Sequence, residues 1–202
     1  MRRKLRTAVF TLALGLVLAG CGRQQAGSDG PATGAGATAT TTSGSTEKPV
    51  STMDMQGAAE RADSMLDLTL KAIEPSVQWA HGPTTTGSCD VTRRRTVMTI
   101  VAPERRQEFL DRVTEFWRDS DYRIKAVNKD EEFPAVYAQA EGFGISVSVR
   151  GGGQVFFEAD SPCVRASKVA DSTSKPNGPA YEGVYPLPRP DVKSPYWSAG
   201  AS

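Results

Sequence analysis

Histidine and cysteine are scarce in this sequence of 202 residues, which contains one His and three Cys. Structural zinc sites take four ligands, mostly Cys and His, so a zinc cluster is nearly excluded. Neither charge is in excess, since 24 Lys and Arg face 23 Asp and Glu. Without a basic field to attract phosphates, nucleic acid is not an expected partner. We predict no metal and no cofactor.

The apolar run near the start is too short to cross a membrane. It extends from Thr7 to Leu18, and at about 1.5 Å per residue it cannot span a bilayer core of roughly 30 Å. The positive residues that precede it, without any acid, are Arg2, Arg3, Lys4 and Arg6. This pattern is typical of a secretory signal peptide, which we predict over residues 1–20.

The residues Leu18, Ala19, Gly20 and Cys21 follow in that order. They resemble the bacterial lipobox, in which a small residue precedes the cysteine. The resemblance implies cleavage before Cys21, a diacylglyceryl thioether on its sulfur, and a lipid-anchored protein on the extracytoplasmic face of the cell membrane. Two acyl chains make such an anchor effectively permanent. The alternative is an ordinary signal peptide with an incidental cysteine.

The rest of the chain divides into three parts by composition. Residues 21–50 begin with the lipidated Cys and are rich in Gly, Ser and Thr, so they are predicted to form a disordered tether. Residues 51–165 carry the periodic patterns of a globular domain. Residues 166–202 contain six prolines and are predicted to be largely disordered. A strap across the domain, a ligand for a partner groove and a sugar-stacking segment are the alternatives for this tail.

Two helices and five strands are predicted in the globular part. A capping box over residues 51–54 begins a helix whose apolar positions recur as far as Ile73, and a second helix follows Pro103. The strands are predicted over 91–101, 122–126, 134–140, 143–149 and 155–159. This order, helix, strand, helix and four-strand meander, indicates an α+β fold. We expect a single, mostly antiparallel sheet of about five strands with two helices on one face.

If Cys21 carries lipid, Cys89 and Cys163 remain, and in an exported chain we expect them to form a disulfide. Cys89 precedes the first predicted strand and Cys163 follows the last, and the strand directions bring these two points to the same edge. Such a bridge closes a loop of about 75 residues and stabilises by roughly 4 kcal/mol in the chain-entropy model. The alternative is a pair of free thiols.

The candidate binding residues are Arg93, Arg95, Trp79 and His81. On a strand, Arg93 and Arg95 share one face, where they bind an anionic partner or pair with nearby acids. Trp79 and His81 lie in a segment, 76–88, that is predicted to be a loop. A catalytic His81 would need an oriented nucleophile, and no G-x-S-x-G motif is present, so we predict no catalytic residue and no enzyme.

A second resemblance covers residues 76–165. Its features are Trp79 followed by Gly82, then Cys89, a basic strand, a helix with Trp117, an FGISVSV strand and Ser161-Pro162-Cys163. They resemble small lipoproteins of actinobacteria and imply no particular activity. The expected protein is a monomeric, non-catalytic binding or interaction module of the cell envelope, with an envelope protein or a wall polymer as partner. The alternatives are an envelope hydrolase that uses His81 and a protective, immunity-type lipoprotein that binds a protein.

Overall fold

A computed structural model of the protein describes residues 52–180 and 190–200. The predicted signal peptide, Cys21, the tether and Ser51 lie outside the described residues. The two helices are α1 (Met55–Lys71) and α2 (Arg106–Asp119). The strands are β1 (Trp79–His81), β2 (Thr85–Thr86), β3 (Val91–Val97), β4 (Arg123–Asn128), β5 (Ala135–Ala140), β6 (Phe143–Arg150) and β7 (Gln154–Asp160). Neither helix of this described part is long and apolar enough to cross a membrane.

The strands form one antiparallel sheet in the order β1-β3-β7-β6-β5-β4, and β2 also pairs with β3. The predicted α+β fold, with one antiparallel sheet and two helices, is therefore confirmed. The expected number of about five strands is inexact, because the described sheet has 7. Strands β1 and β2 lie in the segment predicted as a loop. They are three and two residues long, too short for alternation to be recognised in the sequence.

Helix α1 follows the predicted apolar spacing but begins at a different cap. The alanines Ala58, Ala59 and Ala62 are buried in the core, and their small side chains let the helix approach the sheet closely. The Gly57 N–H donates to the side chain of Asp54 at 2.9 Å, so Asp54 is the N-cap. The predicted capping box over residues 51–54 instead puts the cap at Ser51, which lies outside the described residues.

Alternation along the strands gives the sheet two different faces. On β6, the buried Ile145 and Val147 belong to the core together with α1 and α2, and this side is called the helical face. Gly144, Ser146 and Ser148 alternate with them and therefore point to the opposite side, which is called the open face.

Two parts of the chain after Arg165 lie against the domain. Residues 167–178, called the strap, run beside α1 and β1: the Gln56 N–H donates to Ser167 Oγ at 3.0 Å, and the Gly178 N–H donates to the Trp79 carbonyl at 3.0 Å. Residues 190–200, called the C-terminal segment, bury Trp197 completely. In these two described stretches, polar backbone groups and one large indole find partners on the domain.

The C-terminal segment also explains why β3 is shorter than predicted. The expected strand continued to Val101, whereas β3 ends at Val97. Beyond that point the chain pairs with the C-terminal segment: Asp191 and Val192 N–H groups donate to the Met98 carbonyl at 3.0 Å, and the Ile100 N–H donates to Val192 at 2.8 Å. Local sequence patterns contain no information about a partner more than 90 residues away.

The predicted disulfide between Cys89 and Cys163 is confirmed. The register of β3 against β7 pairs Thr92 with Asp160, so the beginning of one strand adjoins the end of the other. The bridge joins the two chain segments just outside these paired ends. A separation of 74 residues makes this a long loop, the case in which a cross-link restricts the unfolded chain most.

Candidate functional site

The four candidate binding residues come together at the end of the sheet formed by β1 and β3. His81 and Arg95 are direct partners across these strands. The guanidinium carbon of Arg95 lies 4.8 Å from the centre of the Trp79 ring, and the Trp79 and His81 rings meet edge to face at 5.4 Å. A cation over an indole face is attracted by the electrons of the ring. These residues therefore form one connected cluster.

Arg93 and Arg95 are buried and paired with acids on α1. Their exposed fractions are only 2% and 1%. Asp63 lies between them, with Oδ2 3.2 Å from Arg93 Nε and Oδ1 2.6 Å from Arg95 Nη2, and Asp67 Oδ1 is 3.3 Å from Arg95 Nη2. We call these four residues the arginine cluster. Guanidinium groups at such low exposure face Asp63 rather than an external anion, so the ion-pair interpretation applies to Arg93 and Arg95.

Other donors of the two arginines contact the strap and the loop before β2. Arg93 donates to Thr84 Oγ1 and to the Ala170 carbonyl, both at 2.7 Å. Arg95 donates to Ser172 Oγ at 3.3 Å. Because buried cations need hydrogen-bond acceptors, these contacts stabilise the two guanidinium groups and fix the strap to the domain, although the Nε atoms of Arg93 and Arg95 are buried without a hydrogen-bond partner.

His81 also contacts the strap. Its Nε2 lies 3.0 Å from the Ser174 carbonyl oxygen, and since a carbonyl accepts, Nε2 is the donor. Within the described residues, no hydrogen bond joins this ring to a hydroxyl or a carboxylate. The nucleophile, base and orienting group of a hydrolase triad are thus not assembled around His81 in this part of the chain.

A cleft of about 410 Å³ lies between α1 and the strap, directly above the arginine cluster. We call it the α1–strap cleft. It is lined by Gln56, Glu60, Asp63, Ser64, Asp67, Leu68, Lys71, Arg93, Asp171, Thr173 and Ser174. Within the described part of the chain, no group of three or more His, Cys, Asp or Glu side chains is arranged to hold a metal ion.

Sequence reasoning missed Asp63, although a signal for it is present. Asp63 occupies a position four residues after Ala59 and three before Leu66, within the buried stripe of α1. A carboxylate on the buried stripe of a helix needs a cationic partner. The expected strand with Arg93 and Arg95 on one face supplies two such cations. The sequence alone does not show how α1 packs against β3, and this packing brings Asp63 into contact with the two arginines.

A second charged cluster fixes the C-terminal segment to α2. Glu108 accepts hydrogen bonds from the Tyr196 hydroxyl, from Arg112 and from Arg105. These three bonds, the Tyr196 bond first, lower the pKa of Glu108 to about 2. The hydrogen bond that Arg112 donates to Glu108 likewise raises the pKa of Arg112. The cluster lies at Tyr196, next to the buried Trp197, and does not line the α1–strap cleft.

The fold and the cleft together define an α+β domain with one antiparallel sheet, two helices on one face and a cleft bordered by a C-terminal strap. Comparison with protein-family models, with curated proteins and with solved structures finds no match to this chain.

Proposed function

We propose that this protein is a lipid-anchored binding module on the extracytoplasmic face of the cell membrane, and that the α1–strap cleft is its ligand site. The disulfide carries this proposal. It pairs two of the three cysteines and so leaves Cys21, at the end of the lipobox-like sequence, as the third. A disulfide also persists in the oxidising environment outside the cytoplasm, where the signal-peptide pattern directs the chain.

The shape of the cleft supports a binding role. A volume of about 410 Å³ lies within the range of roughly 300–1,000 Å³ that is usual for small-ligand sites. Its base is rigid, because Asp63 and Arg93 are buried and paired there. A rigid base reduces the entropy lost on binding.

The charges around the cleft favour a ligand with cationic or hydrogen-donating groups. Asp63 and Asp67 are paired with the buried Arg93 and Arg95. Of the other charged residues that line the cleft, Glu60 and Asp171 are acidic and Lys71 is basic. A surplus of partly exposed carboxylates attracts positive groups and repels anions.

Replacement of Cys21 by Ala in the full chain tests the anchor. We expect an unprocessed precursor that takes up no labelled fatty acid, whereas Ser28→Ala, a change in the predicted tether, leaves processing and labelling normal. The measurement is metabolic labelling with an alkyne fatty acid, together with the electrophoretic size of the product. Normal cleavage and labelling of the Cys21→Ala protein would refute lipidation at this residue.

Site-specific photocrosslinking in intact cells tests the cleft. Leu68 lines the cleft and is 49% exposed, and Phe133 is 44% exposed and lies outside it. A photoreactive residue at position 68 is expected to give a discrete adduct that the same residue at position 133 does not give. Equal adducts at both positions, or none at position 68, would contradict the assignment of the cleft.

A further inference from the structure

The open face carries a trough above β6. Three short residues of β6 point to this face, namely Gly144, Ser146 and Ser148, and the long side chain of Arg150 follows them at one end. Tyr137 on β5 and Glu158 on β7 rise on either side. The space between them measures about 290 Å³. From Gly144 to Ser148 the trough follows the strand for four residues, roughly 13 Å at about 3.3 Å per residue. It lies on the side of the sheet opposite to the α1–strap cleft.

One wall of the trough is an exposed aromatic ring. Tyr137 is 46% exposed and is the direct cross-strand partner of Ser146. Within the described residues, neither the Tyr137 hydroxyl nor the Ser146 hydroxyl has a hydrogen-bond partner. An aromatic ring beside free hydroxyl groups offers an apolar surface and hydrogen bonds to the same ligand.

The opposite wall is charged but electrically balanced. Glu158 lies 3.4 Å from Arg94 Nε and 4.0 Å from Arg150 Nη2. Asp160 accepts a hydrogen bond from Thr92 Oγ1 at 2.7 Å. Two carboxylates and two guanidinium groups leave no net charge to attract an ion. They do supply hydrogen-bond donors and acceptors side by side, which complement the hydroxyl groups of an uncharged polyol.

We propose that this trough binds a neutral saccharide chain, with a sugar ring against Tyr137 and its hydroxyl groups bonded to Ser146, Glu158 and Arg150. The exposed ring matches the apolar C–H face of a pyranose, and the balanced charges match an uncharged ligand. The extended floor favours a β-1,4-linked chain, because such a chain is itself straight. The expected occupant is a glycan of the cell surface, an assignment that rests on the extracytoplasmic location proposed above.

Isothermal titration calorimetry on the purified full chain tests the proposal, with cellotetraose and the β-1,4-linked tetramer of N-acetylglucosamine as probes. We expect at least one of them to bind, with an affinity that changes little between low and high salt because the ligand is uncharged. The Tyr137→Ala variant should weaken binding roughly tenfold through loss of the ring contact. Tyr137→Phe, which keeps the ring, should stay within about threefold.

Filling the trough is an independent test. A Cβ added at Gly144 meets nothing closer than 3.8 Å, an ordinary contact, and a β-branched residue suits a strand. Gly144→Val should therefore fold normally, as circular dichroism will verify, and should abolish saccharide binding. Phe133→Ala is the matched control, since it removes an aromatic ring that is 44% exposed outside the trough, and it should bind like the unmodified chain.

Absence of binding to both probes by the folded full chain would overturn the proposal, as would unchanged affinity in both Tyr137→Ala and Gly144→Val. Binding that is lost at high salt would overturn it as well, because it would identify a charged ligand. These results do not depend on the lipid, since the Cys21→Ala protein should bind the probes equally well. Failure of the saccharide site and failure of the anchor are therefore separate outcomes.

Discussion

Three consecutive arginines on β3 have opposite environments on the two faces of the sheet. Arg93 and Arg95 point to the helical face, where they are almost completely buried and share Asp63. Arg94 points to the open face, where it is partly exposed and lies 3.4 Å from Glu158. The residue type is the same in all three cases. Successive residues of β3 point to opposite faces of the sheet, so the position along the strand decides whether an arginine is buried or exposed.

The basic run Arg93-Arg94-Arg95 therefore has two separate structural roles. On the helical face a guanidinium has lost its water and must keep each of its partners. On the open face water remains close, so an ion pair contributes little stability and its groups stay available to a ligand. Arg93 and Arg95 of this run thus stabilise the packing of α1 on the sheet. Arg94 instead belongs to one wall of the trough on the open face.

Removal of one carboxylate from each face should produce the largest contrast. Asp63→Asn leaves two buried arginines short of an anion and is expected to lower the free energy of unfolding by about 3–5 kcal/mol. Glu158→Gln, the matched change on the open face, should lower it by less than about 1 kcal/mol. Urea denaturation followed by tryptophan fluorescence measures both variants. Similar losses in the two would remove the distinction between the faces.

Alternation and helical spacing account for the part of this contrast that could be predicted from the sequence. They predict Arg93 and Arg95 on one face of the strand and Arg94 on the other, and they identify the buried apolar positions of α1 from Met55 to Leu70, with Ile73 just beyond its end. They could not show that α1 would present Asp63 to these arginines, because that contact joins residues about 30 positions apart in sequence. It depends on how the helix packs across the strands, which local patterns do not encode.

The trough could not be predicted from the sequence for a similar reason. Gly144, Ser146 and Ser148 were recognisable as the outward residues of a strand. A trough also needs larger neighbours on both sides, and these come from the register that pairs Ser146 with Tyr137 and with Glu158. Register is fixed by turns and by the buried face, and no single strand determines it.

Removal of the Trp197 side chain should cause the next largest loss of stability, because the C-terminal segment packs on the helical face through this residue. This indole is completely buried, lies edge to face with Phe109 at a distance of 5.3 Å, and donates from Nε1 to the Pro75 carbonyl at 2.6 Å. Trp197→Ala should lower the free energy of unfolding by about 3 kcal/mol. Urea denaturation is again the measurement. A Trp197→Ala protein as stable as the original chain would mean that the C-terminal segment does not contribute to the core.

The smallest expected effect concerns the ion-pair cluster that holds Tyr196. Arg105 and Arg112 on one side and the Tyr196 hydroxyl on the other face Glu108, and Glu104 lies close by at Gly200. The pKa of Glu108 falls from 4.5 to about 2 in the folded protein, so the folded state favours the ionised form. Its contribution to stability is complete above pH 4.5 and is lost as the pH falls from 4.5 towards 2.

The difference in melting temperature between the original chain and Glu108→Gln isolates this contribution, since the other carboxyl groups titrate equally in both proteins. We expect the original chain to melt at the higher temperature at pH 6 and the difference to shrink steadily on acidification below the ordinary pKa of 4.5. A difference that is constant with pH would show that the Glu108 carboxylate does not hold the C-terminal segment by its charge. Arg94→Ala, on the open face, should give only a small change in melting temperature at pH 6, because its ion pair with Glu158 is partly exposed.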